Sequence, residues 1–176
     1  MCTVLSRYLC LLLVAPVGGA MAEVIDAADA GFHLEISREV AVTPAQAYAQ
    51  FLRVHEWWDA DHTWFGSAEN LSIDPRAGGC FCERSGGREV LHMTVSYVDP
   101  GVELRMLGGL GPLQGMGLHG AMAWKFEAVD KGGTRIVHSY RVAGYASGGL
   151  RDLAAIVDRV QTGQVEGLRA RLQQDR

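Results

Sequence analysis

Across 176 residues the chain sets 16 Lys and Arg against 20 Asp and Glu, a formal charge of −4 at pH 7, and 48% of it is hydrophobic. A mildly acidic chain without a basic stripe excludes the usual electrostatic footprint of nucleic-acid binding. Four cysteines are too few for a disulfide framework, and a chain of this length builds its own core.

The first 22 residues, "MCTVLSRYLCLLLVAPVGGAMA", carry one charge, Arg7. An apolar run from Tyr8 to Val17 follows, with small residues at Ala20 and Ala22. A positive start, a short apolar middle and an A-x-A end have the form of a secretory signal cleaved after Ala22. The run is too short for a bilayer, which takes ~20 apolar residues. Cys10 lacks the small-residue context of a lipoprotein. The expectation is a periplasmic or secreted protein with no stable membrane insertion after cleavage. Cys2 and Cys10 leave with the signal, so only Cys80 and Cys82 enter the mature chain. Residues 23–31 are then a short lead, and 32–173 are one domain.

Residues 32–42, "FHLEISREVAV", alternate with period two, which predicts a half-buried strand. Arg38 falls on its apolar face. Thr43 can cap the helix that follows, Pro44 suits its first position, and Gln46 completes a capping box. That helix runs to about Leu52. The aromatic-rich "HEWWDADHTWFG" predicts a second short helix and a loop.

A short strand near 71–74 precedes strands around 80–84, 89–98, 102–107, 119–129 and 134–145. "SGG", "DPG", the Gly-rich "GGLGPLQGMG" and "DKGG" supply the turns between the later ones. From Leu150 to Leu172 the chain reads as one amphipathic helix, with Leu153, Val157, Val160, Gln164, Leu168 and Leu172 along a stripe. The plan is α+β: about seven strands curling around a long C-terminal helix, with a cavity between them.

"ISREVAVTPAQAYAQFL", "WWDADHTW", "DPRAGGCFCE", "GTRIVHSYRVAGY" and "VDRVQTGQVEGLRARL" resemble the START-like or SRPBCC superfamily, whose fold is the helix grip of the birch-pollen allergen. Among its branches they are nearest to the activator-of-chaperone-ATPase-like one. The resemblance covers about residues 32–172. It implies a curved antiparallel sheet gripping the last helix, with two short helices after the first strand. It also implies a hydrophobic cavity of the kind used for lipid or steroid carriage, polyketide cyclisation, hormone sensing or co-chaperone work. Fold alone does not choose among these.

A Gly86-Gly87 turn would pair Arg84 with Glu89, Cys82 with Leu91 and Cys80 with Met93. Both cysteines then share an apolar, inward face with Leu91, Met93 and Val95, while Phe81, Glu83, His92 and Thr94 point away. The resemblance favours the opposite facing, because relatives often carry basic residues where the cysteines stand. Alternate residues on a strand lie ~6.5–7 Å apart at Cα, so a Cys80–Cys82 bond needs a local kink. A zinc site would need two further ligands. Small apolar wall residues are the simplest reading, and export keeps a redox reading open.

At the "DKGG" hairpin, alternation turns Met122, Trp124, Phe126 and Ala128 inward. A register pairing Phe126 with Ile136 sets Trp124 against His138 and Met122 against Tyr140. In the helix grip Arg38 lies on the neighbouring strand. The candidate ligand-binding residues are Arg38, Trp58, Cys82, Met93, Leu104, Met122, Trp124, His138 and Tyr140. A few polar groups in an apolar hollow fix a ligand's orientation. The alternatives are that His138 and Tyr140 satisfy each other and that Arg38 makes a buried ion pair.

His55, Asp59, Asp61 and His62 match no metal spacing and read as a solvated helix end. Trp57, Trp58 and Trp64 cover the cavity. The loop 107–117 has no Lys after its glycines, so it is a lid carrying Leu110, Leu113 and Met116, not a phosphate loop. Gly163 and Gly167 suggest that the last helix passes close to a ligand or the sheet.

The leading expectation is an exported carrier of a small hydrophobic molecule, such as a lipid, isoprenoid or aromatic, with no cofactor, metal or nucleic acid. An enzyme of the cyclase or dehydratase kind is the second, with His138 as acid/base and Arg38 or Tyr140 holding an oxyanion. A protein-interaction module related to the chaperone ATPase activators is the third. Export weighs against it, since that partner is cytosolic.

Overall fold

The computed structural model describes residues 23–174, so the expected signal, 1–22, lies outside the described residues. Glu23–Ala28 form a strand, β1, paired antiparallel with Gly31–Val40, β2. Phe32, Leu34, Ile36, Arg38 and Val40 are buried along β2, as the alternation predicts. β1 raises the expected seven strands to eight. Its exposed Val24 and Ile25 show no alternation, so backbone pairing to β2 defines it more than burial does.

The helix α1 (Pro44–Leu52) starts on the predicted capping box. Thr43 Oγ1 accepts from the Gln46 amide, and Gln46 Oε1 accepts from the Thr43 amide at 3.0 Å. The second short helix is replaced by three 3-10 turns, at 54–56, 60–62 and 68–70. The side chains of Asp59 and Ser67 accept backbone N–H groups and restart the chain in single turns. Both indoles are anchored locally, Trp57 Nε1 to the Phe51 carbonyl and Trp58 Nε1 to that of His62, each at 3.1 Å.

The remaining strands are β3 (Leu71–Ile73), β4 (Cys80–Ser85), β5 (Arg88–Asp99), β6 (Glu103–Leu107), β7 (His119–Val129) and β8 (Gly133–Ala143). A four-residue helical turn, α2 (Pro112–Gly115), sits between β6 and β7, and the chain closes on α3 (Arg151–Gln174). The sheet is antiparallel with order β1-β2-β8-β7-β6-β5-β4-β3. β7 and β8 keep the expected register, with Phe126 opposite Ile136, Trp124 opposite His138 and Met122 opposite Tyr140.

The β4–β5 hairpin departs from its expected facing. Arg84 pairs with Glu89 and Cys82 with Leu91, but the register then shifts, so that Phe81 meets Met93 and Cys80 meets Thr94. The extra residue, His92, is a bulge that inverts side parity. Cys82 faces outward with Ser72 and Leu91, both exposed, while Phe81, Glu83, His92 and Met93 are buried. The two cysteines are joined as a disulfide with Cα atoms 5.4 Å apart, closer than a regular strand allows.

Tyr48, Phe51, Trp57, Trp124 and Phe126 form an aromatic cluster, with neighbouring ring centroids 5.0–6.3 Å apart, that fills one half of the concavity. α3 lies over β2 and β1, burying Val157, Gln161, Gln164, Val165, Leu168 and Leu172. Gln164 Oε1 accepts from the Asp59 amide at 2.9 Å. A Cβ at Gly167 would overlap the Trp57 carbonyl oxygen, so the close approach is to the connector, not to a ligand or the sheet. Gly163 is exposed with nothing near a Cβ, and nothing in the structure explains it.

Candidate functional site

The other half of the concavity is a hollow of about 350 Å³. Trp58, Leu71 and Phe81 wall it on one side, and Leu153, Val157 and Gln161 of α3 on the other. The loop between β6 and β7 roofs it with Leu110 and Leu113, both buried as a lid requires. Trp64, Met116 and Ile156 stand at its border and are 52%, 47% and 56% exposed.

The lining is mostly apolar, and its polar residues are Asp61, His62, Thr63, His92, Tyr140 and Gln161. Tyr140 contributes its ring, but its hydroxyl accepts from the Leu110 amide at 3.0 Å and donates to the Gly108 carbonyl at 3.4 Å. Burial pushes that phenol up to about 12, so it stays protonated. His92 lines the wall because the bulge turns it inward, and it packs against Phe81 at 5.1 Å. Its Nε2 meets Glu83 Oε2 at 3.3 Å. Glu83 is fully buried and accepts the amides of Trp64 at 2.9 Å and Phe65 at 2.7 Å. These bonds tie the Trp64 segment to β4 and orient the imidazole. Burial lowers the His92 pKa, and Glu83 offsets part of that shift. The imidazole is therefore neutral near pH 7. His92 Nδ1 and Gln161 Oε1 have no hydrogen-bond partner within the protein.

Of the candidates read from sequence, Trp58 and Tyr140 line the hollow. Met93, Leu104, Met122, Trp124 and His138 lie in the core beneath it, each 3% exposed or less. Arg38 points at α3, where Nε donates to Glu166 Oε1 at 2.5 Å and Nη1 to the Ser37 carbonyl at 2.8 Å. Burial opposes ionisation of Glu166, but bonds from Arg38 and Arg169 outweigh it and hold the carboxyl below its ordinary range. Arg38 therefore makes an ion pair, buried on its own side and open to solvent at Glu166. Cys82 is on the outer face. His138 stacks at a tilt on Trp124, centroids 4.3 Å apart, and neither ring nitrogen completes a hydrogen bond. Burial lowers its pKa to about 3, and the nearby Gln161 side chain offsets a smaller part of that shift. Arg38, His138 and Tyr140 do not converge on one point. Glu83 and His92 were expected to point away and instead face inward, because neither Gly nor Pro marks the bulge, and Gln161 was not among the expected residues.

No family model matches this sequence, and no curated protein does. Solved structures do. A protein from Rhodobacter sphaeroides matches at 18% identity with TM-score 0.58, over 88% of this chain and 99% of its own. Ara h 8.0201 matches at 15% with TM-score 0.56, over 82% of this chain and 99% of its own. The chain has the helix-grip fold. DynU16, a protein of the dynemicin biosynthetic locus, is similar at 17% and TM-score 0.57, over 80% of this chain and 47% of its own. The helix-grip scaffold brings the concave sheet, α3 and the roof loop around one hollow. At these identities the likeness establishes the fold alone. Among the described residues no group of three or more His, Cys, Asp or Glu is placed to hold a metal.

Proposed function

We propose that this protein binds a small, predominantly apolar molecule in the hollow beneath the 108–118 loop and carries it outside the cytoplasm. The observation that carries this reading is the predominantly apolar wall of the hollow, in which His92, Gln161, Asp61, His62 and Thr63 are among the few polar residues. Such a site takes a greasy skeleton, and its few polar side chains hydrogen-bond one polar group of the ligand, which sets its orientation. About 350 Å³ is near the lower end of the ~300–1,000 Å³ of ordinary ligand pockets, so an isoprenoid or aromatic fits better than a two-chain lipid. The signal-like start supports export, and the Cys80–Cys82 bond is of a kind that persists in oxidising compartments. Native mass spectrometry of protein purified from its own host tests the reading. We expect an added mass that organic solvent extracts; a bare protein that also fails to take up isoprenoid and aromatic probes sinks it.

One observation favours a second reading, catalysis of the cyclase or dehydratase kind. The Glu83–His92 pair presents a neutral, oriented imidazole at the wall of the hollow, the arrangement a general base requires. His138 no longer suits that role. If turnover of a bound ligand exists, His92→Gln should lower kcat far more than it weakens binding.

A further inference from the structure

The Cys80–Cys82 bond joins residues already held in register. Cys80 pairs with Thr94, and Cys82 pairs with Ser72 and with Leu91. A loop closed across a single residue removes little entropy from the unfolded chain, so stapling is a poor account of this bond. The two sulfurs differ in surroundings. Cys80 is partly exposed, and Arg84 Nη2 donates to its Sγ at 3.7 Å. Cys82 is 5% exposed, on the outer face of the sheet. Glu89 also engages Arg84, at 3.4 Å from Nε, and leaves the Nη2 contact to the sulfur in place. An accessible sulfur beside a guanidinium, linked to a sheltered one, is the asymmetry of a redox-active pair, because the cation stabilises a thiolate.

We propose that Cys80–Cys82 is a reversible thiol–disulfide exchange site, with Cys80 the sulfur that meets an external dithiol or disulfide and Cys82 the resolving one. In the reducing direction an incoming thiolate attacks Cys80 Sγ, the Cys80–Cys82 bond breaks, and its electron pair leaves on Cys82. The second thiolate of the donor then attacks its own sulfur in the mixed disulfide. Cys80 departs as a thiolate beside Arg84. Two electrons pass from donor to protein, the donor closes to a disulfide, and its two protons go to solvent or to the new thiols. Run backwards, the Cys80 thiolate attacks a disulfide of the partner and Cys82 closes the cycle.

The folded full chain, equilibrated in mixtures of reduced and oxidised dithiothreitol, then acid-quenched and alkylated, should convert reversibly between disulfide and dithiol forms by intact mass. Its far-UV circular dichroism should not change. Resistance to reduction until the protein is denatured, or unfolding on reduction, overturns the proposal. In Cys82→Ala, or Cys82→Ser where the alanine variant does not fold, Cys80 should ionise below the ~8.5 of an ordinary cysteine. Adding Arg84→Gln should slow its alkylation by iodoacetamide at pH 7 about threefold to tenfold, with Arg84→Lys restoring part of the rate. Equal rates with and without Arg84 remove Arg84, and with it the assigned chemistry.

Discussion

His138 is a titratable group confined where it cannot take a proton. The unfolded chain protonates it near pH 6.5, whereas the folded protein resists down to about pH 3 because the ring is buried. A depressed histidine pKa means that the unfolded state binds more protons throughout that window. Stability is therefore intact above about pH 6.5 and declines as pH falls, by roughly 1.4 kcal/mol per unit. Replacing His138 with Leu removes this titration, at the cost of the polar contact with Gln161. The difference in urea midpoint between His138→Leu and the wild type should shift in favour of the variant between pH 7 and pH 5. An identical pH dependence in the two would refute the assignment. Alternation alone placed His138 and Tyr140 on the inner face and fixed which residues oppose them. It did not say whether a helix, a loop or an open space covers each one.

Within the elements, the most informative contrast lies in α3. Gly163 and Gly167 carry the same propensity penalty, up to about 1 kcal/mol against Ala, in different surroundings. Gly163→Ala should stabilise by up to that amount. Gly167→Ala should destabilise despite its better propensity, because the new methyl meets the Trp57 carbonyl. Chemical denaturation of both variants decides, and a stabilised Gly167→Ala would mean that helix and connector part easily. The helix cap, the strand pattern and the β7–β8 register were legible because each rests on local chemistry or unbroken alternation. The β4–β5 bulge was not. A single inserted residue, His92, inverts the facing of the hairpin between it and the turn, while Met93, Thr94 and Val95 keep the expected directions. The 3-10 turns were equally hidden, because their caps at Asp59 and Ser67 can serve one long helix or several single turns.

Taken as one body, the molecule divides its concave space unequally. α1 and the aromatic cluster fill one half, and the other stays open beneath the roof loop and the first half of α3. Sequence pattern reveals which residues face inward but not where that division falls, since it depends on the path of α3 and the loop. That is why Leu104, Met122 and Trp124 belong to the filled half while Phe81 and His92 face the hollow. Val157→Trp should occupy the open half. Uptake of apolar probes should fall at least tenfold, with the circular dichroism spectrum and thermal midpoint close to wild type. Retained uptake would mean that the ligand sits elsewhere.

The Tyr140 hydroxyl bonds at once to the Leu110 amide and the Gly108 carbonyl, so the floor of the chamber latches its own door. Undoing that latch loosens the roof over the hollow. Tyr140→Phe should therefore quicken arrival and departure by similar factors in stopped-flow traces and leave the equilibrium constant nearly where it was.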